Sequence, residues 1–152
     1  MSPIRLRRAC LNDAAALIEL EYAAFSGDWI SLRSWRDLLT TPSAAVTLAC
    51  RDGGVVGSAV VLGSGAAVTL SWLAVMPRQR RQGIATLLVE DALAHAARRG
   101  AVSCRSQVLH GNFLAQALFT HLGFASLGDS GDAAKLRFQR ALTGQLQHQA
   151  AC

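Results

Sequence analysis

Residues 76–84 concentrate positive charge and hydrogen-bonding groups where a helix is predicted to begin. They read MPRQRRQGI, with three arginines and two glutamines before Gly83. The first four N–H groups of a helix lack a partner within the helix, and the helix dipole adds partial positive charge at that end. Gly83 has no Cβ to hold an anion away from the backbone, and Arg80 and Arg81 add charge. The segment predicts an anion site that suits a pyrophosphate.

Two other interpretations of these arginines stay open. They could simply solvate a helix start, because helix starts without ligands are common. They could also bind nucleic acid together with Arg98, Arg99 and Arg105, since a net charge of +5 and a pI near 9.7 favour an anionic partner. Nucleic acid is the weaker hypothesis, because aromatic residues make up only 6% of the chain and no nucleic-acid-binding motif is found. The nucleotide motifs GxxxxGK[ST] and GxGxxG are also missing from the sequence.

The first half of the chain predicts the elements that lead up to this segment. Residues 4–9 alternate apolar and basic side chains, which favours a strand, and Asn12 or Asp13 can cap a following helix that carries Leu17 and Leu20. Helical spacing predicts a second helix over residues 31–39. Three strands follow over residues 44–50, 55–63 and 66–75, the first two joined by the turn sequence RDGG.

The second half opens with the most regular helix pattern. From Gly83 an apolar stripe runs along one helical face, and Gly100 suits its C-terminal cap; the stripe comprises Ala85, Leu88, Val89, Ala92, Leu93 and Ala96. A strand over residues 101–109, a helix capped by Asn112 and ended by Gly123, and an antiparallel pair over residues 124–128 and 135–142 complete the order. We expect one α/β domain over residues 1–142 and a flexible tail over residues 143–152.

Composition excludes several classes of protein. With 51% hydrophobic and 16% charged residues, the chain is unlike a disordered one. The uncharged run over residues 53–76 is long enough for a membrane helix, but Gly57, Gly63 and Gly65 interrupt it and its β-branched residues favour two strands. Acidic residues follow the basic N-terminus too soon for a signal peptide. We expect no membrane segment and a cytoplasmic location.

The cysteines are scattered along the chain. Cys10, Cys50, Cys104 and Cys152 form no CxxC pair and have no histidine at ligand spacing. This pattern is typical of free thiols in a reducing compartment and predicts no metal site.

Two motifs in the predicted order resemble a known family. Arg80-x-x-Gly83-x-Ala85 follows the strand SWLAV, and GNFLAQALFTHLGF occupies residues 111–124. They resemble the motifs (Q/R)xxGx(G/A) and NxxAxxLYxxxGF of the GNAT superfamily of acetyl-coenzyme A-dependent N-acetyltransferases. The resemblance covers residues 4–142 and is closest to the type that acetylates ribosomal-protein alanine N-termini. It implies a mixed, mostly antiparallel sheet of six to seven strands with about four helices, and strands that splay at the cofactor slot.

The resemblance also implies the residues that would hold acetyl-coenzyme A. Backbone groups of one strand would bind the pantetheine arm, residues at the helix start would bind the pyrophosphate, and Asn112 would contact the cofactor from the other side. The strand that carries Val75 and the strand that carries Gln107 would diverge, and a backbone N–H near Val75 would polarise the thioester carbonyl. The implied cofactor-binding residues are Leu73, Ala74, Val75, Arg80, Arg81, Gln82, Gly83, Ile84, Ala85, Thr86 and Asn112.

The usual catalytic pair of the resembled type is missing. Gln107 stands where that type has a glutamate base, and Phe119 stands where it has a tyrosine acid. Glutamine cannot take up a proton at neutral pH, and phenylalanine cannot give one. His110, His121 and Tyr22 are weak substitutes, because a surface or structural role for the histidines and core packing for the tyrosine are simpler interpretations. An ordered water acting through backbone carbonyls fits equally well, so the catalytic residues stay unknown.

The resemblance predicts an enzyme that acetylates a primary amine, either a small amine or a peptide or protein N-terminus. We expect the amine to enter beside loops that carry Asp28, Asp129 and Asp132, which would attract a cation, although surface aspartates can serve solubility alone. A module that binds acetyl-coenzyme A without turning it over is the alternative. The chain is expected to be a monomer or a homodimer, the latter formed if the last strand, residues 135–142, pairs with a second copy.

Overall fold

The computed structural model describes residues 2–25, 30–132 and 134–142. These residues form seven strands and four helices in the predicted order, with bounds that agree to within about two residues. The helices are α1 (Ala14–Ala24), α2 (Leu32–Thr40), α3 (Ile84–Arg98) and α4 (Phe113–His121). The strands are β1 (Arg5–Arg8), β2 (Ala44–Arg51), β3 (Gly54–Leu62), β4 (Ala67–Val75), β5 (Ser103–Leu109), β6 (Ala125–Asp129) and β7 (Lys135–Ala141).

The strands form one sheet in the order β1-β2-β3-β4-β5-β7-β6. β4 and β5 pair in parallel, whereas β1 with β2, β2 with β3, β5 with β7 and β6 with β7 pair antiparallel, so the predicted mixed, mostly antiparallel sheet is confirmed. The prediction that the last strand offers a free edge is wrong. β7 is hydrogen-bonded to β5 on one side and to β6 on the other, so β1 and β6 are the edge strands.

The chain divides into two compact units. Unit 1 comprises Met1–Leu62 and Trp72–Ala92, and unit 2 comprises Gly63–Ser71 and Leu93–Cys152. β4 and α3 therefore contribute residues to both units. The single domain over residues 1–142 stays a prediction, and the predicted flexible tail lies outside the described residues.

In unit 1, α1 and α2 cover one face of the sheet. Alternate residues of β2 and β3 meet the apolar sides of both helices in a core of Ala14, Leu17, Trp35, Val46, Leu48 and Val60. The expected cap of α1 is not made by a side chain. The Asp13 carboxylate instead accepts hydrogen bonds from both guanidinium N–H₂ groups of Arg7 and from the Cys10 N–H, which lowers the Asp13 pKa to about 2. Asp13 thus ties β1 to the turn before α1.

The first half of α3 covers the other face of unit 1. Leu88, Val89 and Ala92 are buried, as the stripe predicts, and Ile84 joins them. Gly57 on β3 makes this packing close, because a Cβ built there would lie 3.0 Å from Leu88 Cδ1 and 3.1 Å from the Ala74 carbonyl oxygen. The position at which α3 begins therefore depends on a glycine in β3.

In unit 2, an aromatic cluster forms the centre of the core. Phe119 of α4 packs against Phe124 and Phe138, with ring centroids 5.1 and 5.8 Å apart. Cys104 and Val108 are buried on β5, and burial raises the pKa of the Cys104 thiol to about 11. The buried residues of β5 alternate with exposed ones, so Arg105 and Gln107 lie on the face opposite the aromatic cluster.

We expect Gly57→Ala to lower the free energy of unfolding by about 1–3 kcal/mol, since the added methyl group would lie only 3.1 Å from the Ala74 carbonyl oxygen, so the packed backbone would have to shift. Urea unfolding measures the change. Gly65→Ala is the matched control, because its Cβ would meet no atom within 4 Å. The control should leave stability unchanged or slightly higher. Equal losses in the two variants would contradict the close approach of α3 to β3.

Candidate functional site

The start of α3 in unit 1 is open to solvent. Arg81, Gln82 and Gly83 are exposed, and Gly83 adopts φ +79°, with no atom within 4 Å of the position that a Cβ would take. The Gly83 carbonyl oxygen accepts the first hydrogen bond of the helix, from the Leu87 N–H. Glycine has no side chain with which to cap the helix. Within the described residues, the N–H groups of Gly83, Ile84, Ala85 and Thr86 have no hydrogen-bond acceptor. The entrance therefore presents free donors to an anion.

Two side chains next to these donors, Arg80 and Gln82, make hydrogen bonds within the protein. The Arg80 guanidinium donates to the carbonyl oxygens of Val75 and Ala24, each at 3.2 Å, so Arg80 ties the loop to α1 and β4. Arg51 donates to the Gln82 side chain at 2.8 Å and also to Gln79. Arg81, with φ 62°, makes no such contact within the described residues. Of the two arginines expected to supply charge, only Arg81 has an uncommitted guanidinium.

The end of β4 precedes this loop in unit 1. Ala74 and Val75 are buried, Leu73 is half-buried, and the Val75 carbonyl accepts from Arg80. The Met76 N–H donates to the Val56 carbonyl at 2.8 Å, which fixes the chain as it leaves the strand. These hydrogen bonds hold the end of β4, Leu73–Val75, beside β3.

In unit 2, the parallel pairing of β4 and β5 is short. It joins Ala67 to Ser103, Val68 to Cys104 and Thr69 to Arg105, and it stops there although both strands continue. Beyond that point the Ser106 hydroxyl donates to the Leu70 carbonyl at 2.8 Å. This buried side-chain bond replaces a backbone bond at the point where the strands separate.

A cavity of about 550 Å³ opens where the pairing ends. It lies in unit 2, and its charged and amide side chains come from the face of the sheet opposite the aromatic cluster, whereas Phe138 belongs to that cluster. Its lining comprises Thr69, Leu70, Ser71, Arg105, Ser106, Gln107, Leu127, Lys135, Arg137, Phe138 and Gln139. In the sequence, this cavity could have been inferred from the alternation of Lys135, Arg137 and Gln139 along β7, which places the three side chains on one face of the strand.

The two positions of the implied catalytic pair lie in different surroundings. Gln107 is exposed and lines the cavity, which suits contact with a substrate. Phe119 is only 5% exposed and packs between two other phenylalanines in the core of unit 2. Phe119 therefore stabilises the fold and has no proton to give.

Three residues were considered as weak substitutes for that pair: His110, which lies beside a carboxylate, and the exposed residues His121 and Tyr22. His110 Nε2 lies 2.9 Å from the Asp129 carboxylate, which links the end of β5 to β6. His121 is exposed in the last turn of α4. Tyr22 is 58% exposed, so the interpretation of Tyr22 as a core residue is wrong. The buried face of α1 carries Leu17, Leu20 and Glu21, so Tyr22 lies on the exposed face of the helix.

The described aspartates that were expected to attract a cation lie beside side chains of the protein itself. Asp129 pairs with His110, and the Asp132 carboxylate lies 3.9 Å from the Lys135 ammonium. Asp132 also accepts from the Ala134 N–H within its turn. Asp28 lies outside the described residues. Asp129 and Asp132 therefore have partners within the protein, and the expected attraction of a cationic amine stays a prediction.

Asn112, in unit 2, performs the predicted helix cap. Its side-chain oxygen accepts from the Ala115 N–H at 3.1 Å, at the start of α4. The side-chain nitrogen of Asn112 stays available for another partner within the described residues. The cofactor contact implied by the resemblance stays a prediction.

Glu21 is a buried carboxylate that the sequence analysis did not identify. It is 1% exposed, and it accepts hydrogen bonds from the Ile30 N–H at 2.6 Å and from the Trp35 indole N–H. Burial raises the pKa of Glu21, against these two hydrogen bonds, which lower it. The signal was its position four residues after Leu17, on the apolar stripe of α1. Since both oxygens are engaged, Glu21 holds α1 to α2.

The described residues offer neither a metal centre nor a membrane-spanning helix. In the described ranges, no group of three or more His, Cys, Asp or Glu side chains could hold a metal ion. Cys10, Cys50 and Cys104 are free thiols. None of the helices in the described part of the chain has the length and apolar character needed to cross a bilayer.

Comparison with known proteins identifies the family of this domain. The profile of the Acetyltransferase (GNAT) family matches residues 14–124, which is more than half of the chain. None of the curated proteins compared with the chain by sequence matches it.

Solved structures share the fold over most of the chain. The PaiA N-acetyltransferase from Thermoplasma acidophilum, in complex with coenzyme A, is 16% identical with a TM-score of 0.84, covering 91% of this chain and 99% of that one. The ribosomal-protein-S18-alanine N-acetyltransferase from Escherichia coli is 20% identical with a TM-score of 0.79, covering 92% and 94%. Ard1 from Thermoplasma volcanium is 20% identical with a TM-score of 0.77, covering 91% and 97%. At these identities the likeness concerns the fold.

We expect Ser106→Ala to lower the free energy of unfolding by about 1–3 kcal/mol, because the buried Leu70 carbonyl loses its hydrogen bond. Chemical denaturation measures the loss. Ser103→Ala, on the same strand, removes a hydroxyl that makes no side-chain hydrogen bond within the described residues, so its effect should stay below about 0.5 kcal/mol. If Ser106→Ala behaves like this control, the hydroxyl does not hold the point at which the strands separate.

Proposed function

Because this chain belongs to the acetyltransferase (GNAT) family, we propose that it moves an acetyl group from acetyl-coenzyme A to a primary amine. The amine attacks the thioester directly, and the acceptor is a small amine or a peptide or protein N-terminus. The observation that carries the proposal is the exposed loop at the start of α3, where four backbone N–H groups have no acceptor among the described residues. Members of this family use acetyl-coenzyme A, and one structural neighbour is a complex with coenzyme A.

The start of α3 has the donors that a pyrophosphate needs. The free N–H groups of residues 83–86, the helix dipole and the Arg81 guanidinium favour a double negative charge there. An anion can approach the Gly83 backbone because nothing occupies the space beside it. We propose that residues 81–86 bind the pyrophosphate and that the backbone of Leu73–Val75 binds the pantetheine arm.

Bound acetyl-coenzyme A supplies the activated acetyl group, so the protein must position the amine and manage its proton. Positioning two reactants can supply about 7–11 kcal/mol of the barrier, whereas acid or base catalysis adds about 10²- to 10⁴-fold. Gln107 can hold the amine by hydrogen bonds but cannot take its proton. We propose that water accepts the proton of the amine. This chain would then depend on the positioning of the reactants more than the alanine-acetyltransferase type does.

A module that binds acetyl-coenzyme A without turnover is the second candidate. Gln107 and Phe119 favour it, because neither side chain can transfer a proton. The burial of Phe119 among Phe124 and Phe138 adds support, since a side chain enclosed in the core cannot reach a substrate. Release of free thiol from acetyl-coenzyme A in the presence of an amine separates the two candidates.

We expect Gly83→Val to weaken the binding of acetyl-coenzyme A at least about tenfold, because the side chain enters the space from which the pyrophosphate would approach. The thermal shift caused by acetyl-coenzyme A measures affinity, since ligand at a hundredfold over Kd adds about 2.7 kcal/mol of stability. Gly100→Val is the matched control, because Gly100 also has a positive φ, +100°, and open space around its Cβ position, but lies at the other end of α3. Equal loss in both variants would assign the effect to backbone strain, and full affinity in Gly83→Val would refute the proposed pyrophosphate site.

We expect Gln107→Glu to raise kcat about tenfold or more near neutral pH, because it places a proton acceptor where the resembled type has its base. A thiol-release assay at saturating amine gives kcat. Gln139→Glu is the matched control, since Gln139 lines the same cavity and adds the same charge from β7. An equal rise in both variants would mean that charge alone is responsible. No thiol release in the wild type or in Gln107→Glu would favour the module without turnover.

A further inference from the structure

Among the residues that the structure describes, the cavity in unit 2 is lined by cations and by no carboxylate. Arg105 comes from β5, and Lys135 and Arg137 come from β7. Gln107 and Gln139 are the other long polar side chains in the lining. A cavity with three positive charges and no negative one is selective for an anion.

The strand register places Arg105 and Arg137 on one face of the sheet, in diagonal positions. Arg105 lies opposite Gln139, and Gln107 lies opposite Arg137. Arg105 and Arg137 are therefore diagonal neighbours on one face of an antiparallel pair, where backbone positions are about 7–8 Å apart and long side chains can meet. Like charges at this spacing repel each other unless an anion lies between them.

These guanidinium groups have few partners in the protein. Among the described residues, neither Arg105 nor Arg137 forms an ion pair, and the one hydrogen bond of Arg137 is to the Leu127 carbonyl, at 3.4 Å. Lys135 differs, because its ammonium lies 3.9 Å from the Asp132 carboxylate. Arg105 and Arg137 thus hold most of the uncompensated charge.

The same cavity contains the position at which the acceptor is expected to react. Gln107 lines it, and Gln107 occupies the place of the catalytic base in the resembled type. The cavity also opens directly beyond the last paired residues, Thr69 and Arg105. An acceptor that meets Gln107 therefore lies beside both arginines.

We propose that the acceptor is a small amine that carries a carboxylate or a phosphate, and that Arg105 and Arg137 bind this anionic group. This inference rests on the proposed acetyl transfer, whose acceptor class it specifies. Guanidinium groups form two parallel hydrogen bonds with either anion. A cavity of about 550 Å³ is of the size that holds a small molecule. The cavity is therefore positively charged, whereas the aspartates Asp129 and Asp132 were expected to give the acceptor site a negative charge. Those aspartates lie beside His110 and Lys135.

Binding of matched amines tests the inference directly. Isothermal titration calorimetry, with and without acetyl-coenzyme A, compares O-phosphoethanolamine with ethanolamine and β-alanine with β-alaninamide. Each pair differs in the anionic group, and the two pairs distinguish phosphate from carboxylate. We expect the anionic member of at least one pair to bind at least about tenfold more tightly, since each charge-assisted contact contributes on that scale.

The variant Arg105→Gln/Arg137→Gln should abolish this preference. Arg33→Gln, an exposed substitution on α2, is the control that should keep it. In the thiol-release assay the double variant should raise KM for the anionic amine at least tenfold and change kcat less. Acetyl-coenzyme A should bind the double variant as it binds the wild type. Thermal unfolding without ligand checks that the variants stay folded.

Several results would overturn the inference. They are equal binding of anionic and neutral amines, a preference that survives in the double variant, or a parallel loss of acetyl-coenzyme A affinity, which would assign the arginines to the nucleotide. Better acetylation of an uncharged peptide amide would identify a peptide acceptor instead. If acetyl-coenzyme A does not bind, or no amine releases thiol, the proposed function fails, and the calorimetric comparison still decides whether the cavity binds anions.

Discussion

The close packing of α3 on β3 is the constraint on which the proposed cofactor site depends. At Gly57 the backbone of β3 leaves room for Leu88 and Ile84, and any side chain there would push the helix outward. The start of α3 then follows β4 after a short loop, which Arg80 fastens to the Val75 and Ala24 carbonyls. The hydrogen bonds of Arg80 thus fix the backbone that carries the free N–H groups of the helix start. Little free energy would be needed to order these groups when an anion binds.

In unit 2, the cavity depends on the point at which the pairing of β4 with β5 stops. β4 and β5 pair over three residues, and Ser106 closes the ladder with a side-chain bond to the Leu70 carbonyl. A sheet that continued its pairing would leave no space between the strands, so the cavity exists because the ladder stops. β5 stays rigid all the same, because it is paired with β7 along its whole length. Rigid walls beside a gap suit a site that must hold a substrate in one position.

The sequence predicts the elements well because they depend on local patterns. The apolar stripe of α3, the cap by Asn112 and the turn at Asp52 and Gly53, both with positive φ, each depend on neighbours in the chain. Pairings between distant residues were not predictable in this way. The bond from Arg80 to the Ala24 carbonyl and the clamp of Arg51 on Gln82 join segments far apart in sequence. β7 was misplaced at the edge for the same reason, since sequence order does not give strand order.

The charge of the cavity has a consequence for a site without a side-chain base. An amine must lose its proton before it attacks, and nearby positive charge favours the neutral form of an amine. Arg105 and Arg137 form no ion pair in the described structure, so the part of their positive charge that a bound anion leaves uncancelled would favour the neutral form of an amine beside them. An anionic group on the same molecule would hold it there despite the repulsion of its ammonium. The arginines would then do by electrostatics part of what a glutamate does by accepting a proton, which makes Gln107 compatible with an active enzyme.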